Sequence, residues 1–225
     1  MSPRLAAFLK RLASFYSAAL AVAAAAFWAF AELADEVLER STAPFDRAVI
    51  LSWHAQAHPV LDKLALVAAA VGDVAGITLM ALAFGAYLAK RRLYADLAGL
   101  AATVIGSGVL TFSLKTAFRQ ERPALFDQLV HEITYSFPSG HSLMSFSLFG
   151  YVAAWLVSRQ PRSPWRWLAA VGLVSLAAGI AASRVYLGVH WPSDVVAGAI
   201  VATFWLSICL VGRRVLSRRA GWQVS

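Results

Sequence analysis

Residues 167–212 read WLAAVGLVSLAAGIAASRVYLGVHWPSDVVAGAIVATFWLSICLVG, in which two charge-free runs flank a short polar hairpin. The runs cover 167–183 and 195–212. A helix needs about 20 apolar residues to cross a bilayer, and slightly shorter runs suffice where flanking Arg, Lys and Trp side chains anchor at the interface. This segment therefore predicts two membrane-spanning helices that are joined at one face of the membrane.

The whole chain has the composition of a membrane protein. Of its 225 residues, 60% are hydrophobic and 14% are charged, with a mean hydropathy of +0.64, whereas soluble domains carry about 25% charged residues. Asp73 interrupts one further apolar run, and it either lies within that span or marks a later start of the span. The fold class predicted is all-α, a polytopic membrane bundle of six transmembrane helices, of which the other four are 12–31, 64–89, 97–114 and 142–158.

The chain is predicted to form one integral membrane domain over residues 1–225, because no internal repeat, linker or second domain is visible. Its polar motifs fall within a core of about residues 97–212. The longest stretch outside the spans, 32–63, is predicted to be an outer interfacial segment. Its apolar side chains recur at helical spacing, as they do in a helix that lies on the headgroups: Phe45, Val49 and Trp53. The single cysteine, Cys209, excludes an intrachain disulfide and a thiolate metal cluster.

The basic residues predict the orientation of the chain. A net charge of +8 is compatible with nucleic-acid binding, but on a hydrophobic chain it marks cytoplasmic loops, so no nucleic-acid partner is predicted. Both termini are predicted to be cytoplasmic in a cell (inner) membrane; a signal peptide at the first run is the alternative. The termini and the loops after even-numbered spans hold the basic excess: Arg4, Lys10, Arg11, Lys90, Arg91, Arg92, Arg159, Arg162, Arg166, Arg213, Arg214, Arg218 and Arg219.

The outward-facing side carries three polar clusters, of which the first is Lys115, six residues, Arg122 and Pro123. If the third span continues as a helix, Lys115 and Arg122 lie on one face, two turns apart, and Pro123 ends the helix at Arg122. The alternative is a pair of interfacial cations that face lipid headgroups.

The second cluster is Pro138-Ser139-Gly140-His141, directly before the fourth span. Ser139 is a candidate N-cap, and Gly140 lets a ligand approach the backbone amides. Exposed amides at a helix N-terminus form an anion site. Ordinary turn chemistry is the alternative for this string.

The third cluster is Ser183-Arg184, five residues, His190, three residues and Asp194. If the segment is helical, the Asp194 carboxylate reaches a ring nitrogen of His190 and fixes its tautomer. Pro192 suits a first helical turn. A structural role beside the bilayer is the alternative for each residue alone.

Taken together, the clusters place three cations, a helix N-terminus and two histidines on one membrane face. Unpaired buried cations cost several kcal/mol each, so this arrangement favours a bound anion, and a phosphate would satisfy it. One histidine would then act as a nucleophile and the other as a proton donor to the leaving oxygen.

Lys-x6-Arg-Pro, Pro-Ser-Gly-His and Ser-Arg-x5-His-x3-Asp, in this order, resemble the three-part signature of the type 2 phosphatidic acid phosphatase superfamily. The resemblance implies that His190 is the nucleophile that forms a phosphohistidine, that Asp194 orients it, and that His141 is the general acid. It implies no metal and no other cofactor. The phosphate clamp that it implies consists of Lys115, Arg122, Ser139, the Gly140 amide and Arg184.

The resemblance implies hydrolysis of a phosphomonoester or diphosphate on a membrane lipid at the outer face. The substrates expected are undecaprenyl diphosphate or phosphatidylglycerophosphate, and the partners are this lipid and the surrounding membrane lipids. A lipid phosphotransferase, a lipid A phosphatase and a non-enzymatic anion transporter are the alternatives. The sequence leaves the physiological substrate and the oligomeric state open.

Other polar residues have weaker interpretations. His54 and His58 have the i, i+4 spacing of metal ligands, but without a third ligand nearby an interfacial position is favoured. Several charged residues of the loop between the first two motifs are either solvated or shape headgroup selection: Arg119, Glu121, Asp127, His131 and Glu132.

Overall fold

Eight α-helices make up the computed structural model, which describes residues 3–159 and 163–219. No β-strand occurs in this part of the chain. In chain order the helices are α1 (Pro3–Leu38), α2 (Ala43–His54), α3 (Pro59–Gly72), α4 (Val74–Lys90), α5 (Tyr94–Phe118), α6 (Gly140–Arg159), α7 (Trp165–Tyr186) and α8 (Pro192–Arg219).

The predicted all-α membrane bundle is confirmed, with two helices joined at a bend where the second span was predicted. Within the described residues, α1, α5, α6, α7 and α8 are each long and apolar enough to cross a membrane. The pair α3 and α4, bent by 55°, passes the same test only when taken together, as a broken sixth span or a re-entrant loop. Asp73 lies at the bend with an extended backbone, at φ −68° and ψ 162°, and its side chain is exposed. It therefore lies at an interruption of the span, which neither sequence interpretation foresaw.

The helix bounds within residues 32–63, the predicted interfacial segment, differ from the prediction. Residues 32–38 continue α1, and residues 59–63 belong to α3. A charge-free run shows where a helix meets water, but Glu and other good helix formers can extend the helix beyond that point. Between them lies α2, which buries Asp46 and Ile50 and leaves Phe45 66% exposed.

Helix α6 is the centre of the bundle and packs against α5, α7 and α8. Its inward face combines large apolar side chains such as Tyr151 with small ones such as Ser142 and Ser145, all fully buried. Small residues let membrane helices approach closely. A Cβ on Gly198 of α8 would stand 2.7 Å from the Ser139 carbonyl oxygen, so this glycine brings the beginnings of α6 and α8 together.

The bundle has two polar ends. The site end is where α5 and α7 finish and where α6 and α8 begin; the opposite end contains Asp96, Arg159 and Arg213. Both arginines form ion pairs with the Asp96 carboxylate. Of the residues that predicted the orientation, Arg162 lies outside the described part of the chain, and nothing is described of the side chains of Arg4, Lys10, Arg11 and Arg219.

Candidate active site

His190 and Asp194 form a buried hydrogen-bonded pair at the site end. His190 Nδ1 lies 3.1 Å from Asp194 Oδ2, and neither residue is more than 1% exposed. The Ser136 hydroxyl donates to the same carboxylate oxygen and lies 3.3 Å from Nδ1. The structure thus brings together the two residues that the third motif predicted to meet.

The two residues do not share a helix, which corrects the predicted reason for their contact. Helix α8 begins at Pro192, as expected for this proline, and His190 lies in the preceding turn. The Trp191 amide donates to Asp194 Oδ2 at 2.8 Å, which is the back-bond of a capping box. The interaction that starts α8 therefore also directs the carboxylate towards His190.

Arg122 determines which nitrogen of His190 lacks a proton. Arg122 Nη1 lies 3.2 Å from His190 Nε2. Because a guanidinium only donates, Nε2 accepts and the proton resides on Nδ1, which donates it to Asp194. Burial, followed by the positive charges of Arg122 and Lys115, holds the pKa of His190 well below its ordinary value. The ring is therefore neutral at pH 7, with the Nε2 lone pair directed at a cation.

Arg122 reaches the site from a loop, so the predicted helix over Lys115 and Arg122 is wrong. Helix α5 ends at Phe118, and Arg119 has a left-handed backbone with φ 50°. The Arg119 amide donates to the Lys115 carbonyl at 3.0 Å, a common helix-terminating bond that stops α5 before Pro123 can. Burial lowers the pKa of Arg122 from its usual value.

Lys115 and Arg122 nevertheless converge on the same loop residues, Thr134 and Tyr135. Lys115 Nζ donates to the Tyr135 carbonyl and lies 3.4 Å from Thr134 Oγ1. Arg122 donates to the Thr134 carbonyl at 2.7 Å, to Thr134 Oγ1 at 3.1 Å and to the Tyr135 carbonyl at 3.3 Å. The two cations therefore share one small volume at the site end.

Arg184, in the last turn of α7, is the third cation of this volume. It is 1% exposed and forms an ion pair through Nη2 with Glu132 Oε1. Glu132 Oε2 lies 3.7 Å from Arg122 Nη2. The Nε atom of Arg184 is buried and makes no hydrogen bond within the described residues. One carboxylate thus bridges two arginines, and one of these keeps an unused donor.

The Pro-Ser-Gly-His segment leads directly into α6, which begins at Gly140. A Cβ on Gly140 would stand 3.0 Å from Thr111 Cγ2 and 3.8 Å from Lys115 Cε, so the glycine permits close approach of α5. The Ser139 hydroxyl is buried and has no partner in the part of the chain that is described, so the predicted capping bond is not formed. The hydroxyl therefore keeps an unused hydrogen-bonding capacity beside the first amides of α6, which have no partner within their own helix.

His141 lies in the first turn of α6, against the junction of α3 and α4. A Cβ on Gly72 would stand 3.2 Å from His141 Cδ2. The ring is partly buried and close enough to His190 to act on it electrostatically. Among the described residues it hydrogen-bonds no other predicted site residue. His141 is therefore a neighbour of the cluster without being part of its hydrogen-bond network.

A family model described as the PAP2 superfamily matches residues 96–217, a segment that contains all three motifs. This chain belongs to the PAP2 superfamily. Its fold is shared by a crystal structure of a transmembrane PAP2-type phosphatidylglycerolphosphate phosphatase from Bacillus subtilis, with a TM-score of 0.80 and 25% sequence identity over 87% of this chain and 98% of that one.

Two curated relatives resemble parts of this PAP2 chain. A phosphatidylglycerophosphatase B from Bacillus subtilis is 40% identical over 88 residues, which are 38% of this chain and 42% of the relative. An undecaprenyl-diphosphatase from Sulfolobus acidocaldarius is 40% identical over 77 residues, which are 34% of this chain and 32% of the relative. The chain thus spans less than half the length of these two relatives.

Three residues of this PAP2 protein contribute to the site without having been singled out as part of it. Ser136 binds the Asp194 carboxylate, and Glu132 pairs with Arg184 instead of being solvated. A buried Asp46 on α2 accepts from the Ser193 amide at 3.0 Å and from its hydroxyl at 2.7 Å. Ser136 lies only two residues before the second motif, which is a usable signal. The contact of Asp46 spans 147 positions in sequence, so no local pattern could have indicated it.

The two histidines with metal-ligand spacing have other contacts. His54 stacks on Phe126 with ring centroids 3.6 Å apart. His58 Nδ1 accepts from the Val60 amide at 3.2 Å and so caps α3. Residues 3–159 and 163–219 contain no group of three or more His, Cys, Asp or Glu side chains that could hold a metal ion.

Proposed function

We propose that this PAP2 chain hydrolyses a phosphomonoester or diphosphate on a membrane lipid through a phosphohistidine intermediate. The observation that carries the proposal is the neutral Nε2 of His190, which Asp194 supports from behind and which Arg122 contacts directly. A buried imidazole in this tautomer is a nucleophile, and three surrounding cations suit the phosphoryl group that it would attack.

In the first step, the lone pair of His190 Nε2 forms a bond to phosphorus while the bond from phosphorus to the leaving oxygen breaks. His141 gives its proton to that oxygen. The charge on the equatorial oxygens is stabilised by Lys115, Arg122 and Arg184. Asp194 stabilises the ring, which carries more positive charge once Nε2 is bonded to phosphorus.

In the second step, water attacks phosphorus and the bond between Nε2 and phosphorus breaks. His141 now accepts a proton from the water, as required when one group acts as acid and then as base. Orthophosphate leaves, and His190 returns to its neutral tautomer with the proton on Nδ1.

The substrate class proposed is undecaprenyl diphosphate or phosphatidylglycerophosphate. The cluster lies at the ends of membrane-spanning helices, where a headgroup can enter while its hydrocarbon tail stays in the bilayer. The names of the two curated relatives support the same two substrates.

We further propose that the site end faces outward and that both termini are cytoplasmic, because Arg91 and Arg92 follow α4 at the other end of the bundle. Labelling of Thr134→Cys, but not of Arg92→Cys, by an impermeant thiol reagent on intact cells is expected; the reverse pattern would contradict this orientation.

The experiment that tests the function is phosphate release by purified protein from a panel of lipid phosphates in detergent micelles. We expect release from at least one of the two proposed lipids and its loss in His190→Ala. Labelled phosphate should appear in orthophosphate; label in a second lipid would indicate phosphotransfer. Substantial release by His190→Ala, with wild-type folding, would exclude His190 as the nucleophile.

A further inference from the structure

Glu132 contacts two of the three cations to which the proposed function assigns the substrate phosphate, namely Arg122 and Arg184. We propose that the Glu132 carboxylate fills the cationic clamp when no ligand is bound, that a phosphoryl dianion displaces it, and that this exchange excludes phosphodiester headgroups. This inference rests on the proposed function, since it assigns a phosphate to the same clamp.

The contacts of Glu132 resemble those of a bound anion. One carboxylate oxygen accepts from Arg184 Nη2, and the other lies 3.7 Å from Arg122 Nη2. Lys115 and Arg122 both contact Thr134 and Tyr135 of the same loop, and Arg122 also donates to the Val189 carbonyl and contacts His190 Nε2. Residues 132–135 therefore contact all three cations of the clamp: Lys115, Arg122 and Arg184.

This carboxylate is able to leave, whereas its arginine is not. The Glu132 side chain is 25% exposed, and the Arg184 side chain is 1% exposed. Glu132 lies in a helix-free stretch between α5 and α6, so it can turn into water with little cost to the bundle. Arg184 would then be a buried unpaired cation, which strongly favours another anion in the same place. The unpartnered Nε of Arg184 offers that anion a donor that Glu132 does not use.

The exchange discriminates by charge. A terminal phosphate carries about −1.5 to −2 charges at pH 7 and three acceptor oxygens, so it gains more from the three cations than the single charge of Glu132 does. A phosphodiester carries about −1 charge, as a carboxylate does, and exchanging one for the other gains little. Ordinary membrane phospholipids carry phosphodiesters, so Glu132 keeps the site free of the lipids that surround it.

The test is calorimetric binding of two soluble probes, orthophosphate and dimethyl phosphate, to the full chain in detergent. Glu132→Gln is compared with wild type and with the matched control Glu121→Gln, which removes the same charge from an exposed position of the same loop. We expect Glu132→Gln to bind orthophosphate about ten- to hundredfold more tightly, because a competing charge-assisted bond is lost. It should also acquire measurable affinity for dimethyl phosphate. Glu121→Gln should stay within about twofold of wild type.

Unchanged or weaker orthophosphate binding by Glu132→Gln would overturn the inference, because Glu132 would then support the clamp instead of competing for it. Glu132→Ala replaces the glutamine variant if the latter does not fold. A structure of wild-type protein with orthovanadate gives a second readout: Glu132 should lie more than about 4 Å from Arg184, and a retained ion pair would overturn the proposal. If wild type releases phosphate from lipids and only these results fail, the proposed function stands. If wild type neither binds orthophosphate nor releases it, both fail.

Discussion

The arginines at the two ends of the bundle pair with carboxylates of different kinds. At the opposite end, Asp96 is 1% exposed and accepts from Arg213 Nε at 2.6 Å and from Arg159 Nη2 at 2.5 Å. All three residues lie in helices, so the ion pairs join α5, α6 and α8. At the site end, the Arg184 side chain is 1% exposed, against 9% for Arg213 and 21% for Arg159, but its carboxylate partner is Glu132 of a partly exposed loop.

This difference separates a permanent ion pair from an exchangeable one. A carboxylate held by a helix and enclosed on all sides cannot leave without opening the bundle. A carboxylate on a loop can be replaced by a ligand anion while the helices stay in place. A buried arginine therefore has a structural role at the opposite end and a ligand-binding role at the site end. The two roles differ in whether the partner carboxylate lies in a helix or in a loop.

Within the site end, Asp194 represents the permanent kind of carboxylate, and its removal should have the largest effect. Asp194→Asn is expected to lower kcat about 10³- to 10⁴-fold, because an amide does not hold His190 in the tautomer with a free Nε2. Steady-state phosphate release measures this. The control Asp127→Asn, at an exposed position in the loop between α5 and α6, should have a kcat within about twofold of wild type. A kcat within tenfold of wild type for Asp194→Asn would mean that the carboxylate does not orient the histidine.

Asp96→Asn is expected to act on stability alone. It deprives Arg159 and Arg213 of the carboxylate that they share, at a cost of about 3–5 kcal/mol to the free energy of unfolding. Glu132→Gln should cost much less, because water reaches its side chain. Thermal unfolding of the purified variants tests this contrast. Equal losses of stability would remove the distinction between the two ends, and so would a large change in the orthophosphate affinity of Asp96→Asn.

Asp46 should have an intermediate effect, through the position of α8. Its carboxylate binds the amide and hydroxyl of Ser193, the neighbour of Asp194, so Asp46→Asn is expected to lower kcat about tenfold with little change in KM. Ser193→Ala should give a similar but smaller loss, and the double variant should lose no more than Asp46→Asn alone. Additive losses would show that the two residues act separately.

The smallest expected effect is on the pH profile. Because burial and nearby cations lower the pKa of His190, its protonation should reduce kcat/KM only well below pH 6.5. Arg122→Gln removes one positive charge and should therefore shift this acidic limb to higher pH by about one unit. Profiles of kcat/KM for wild type and variant measure the shift. A limb that stays in place, or moves to lower pH, would contradict the account of the His190 environment.

The sequence predicted most of the fold because bilayer thickness fixes the length of an apolar helix. Five candidate spans followed from charge-free runs, whereas the extension of α1 to Leu38 and the bend at Asp73 depend on backbone behaviour that hydropathy does not describe. The helix does not continue to Arg122, because the left-handed backbone of Arg119 ends α5 at Phe118. Hydropathy does not describe this turn either.

The gathering of the site residues was predictable because helix ends on one membrane face lie close together. Lys115, Arg184, His190 and Asp194 occupy such ends or the turns beside them. The residues that contact these side chains and complete the site were harder to predict from the sequence. The sequence left Glu132 as either solvated or involved in headgroup selection, and only the tertiary structure shows that it pairs with Arg184.

The most direct test of the central claim is to identify the residue that carries the phosphoryl group during turnover. Wild-type protein mixed with a proposed lipid substrate and quenched rapidly under alkaline conditions, which preserve phosphohistidine, should yield a peptide phosphorylated on Nε2 of His190. His190→Ala should yield none, and His141→Ala should accumulate the adduct if its formation remains measurable. Phosphate on His141, or turnover without any covalent phosphohistidine, would contradict the account.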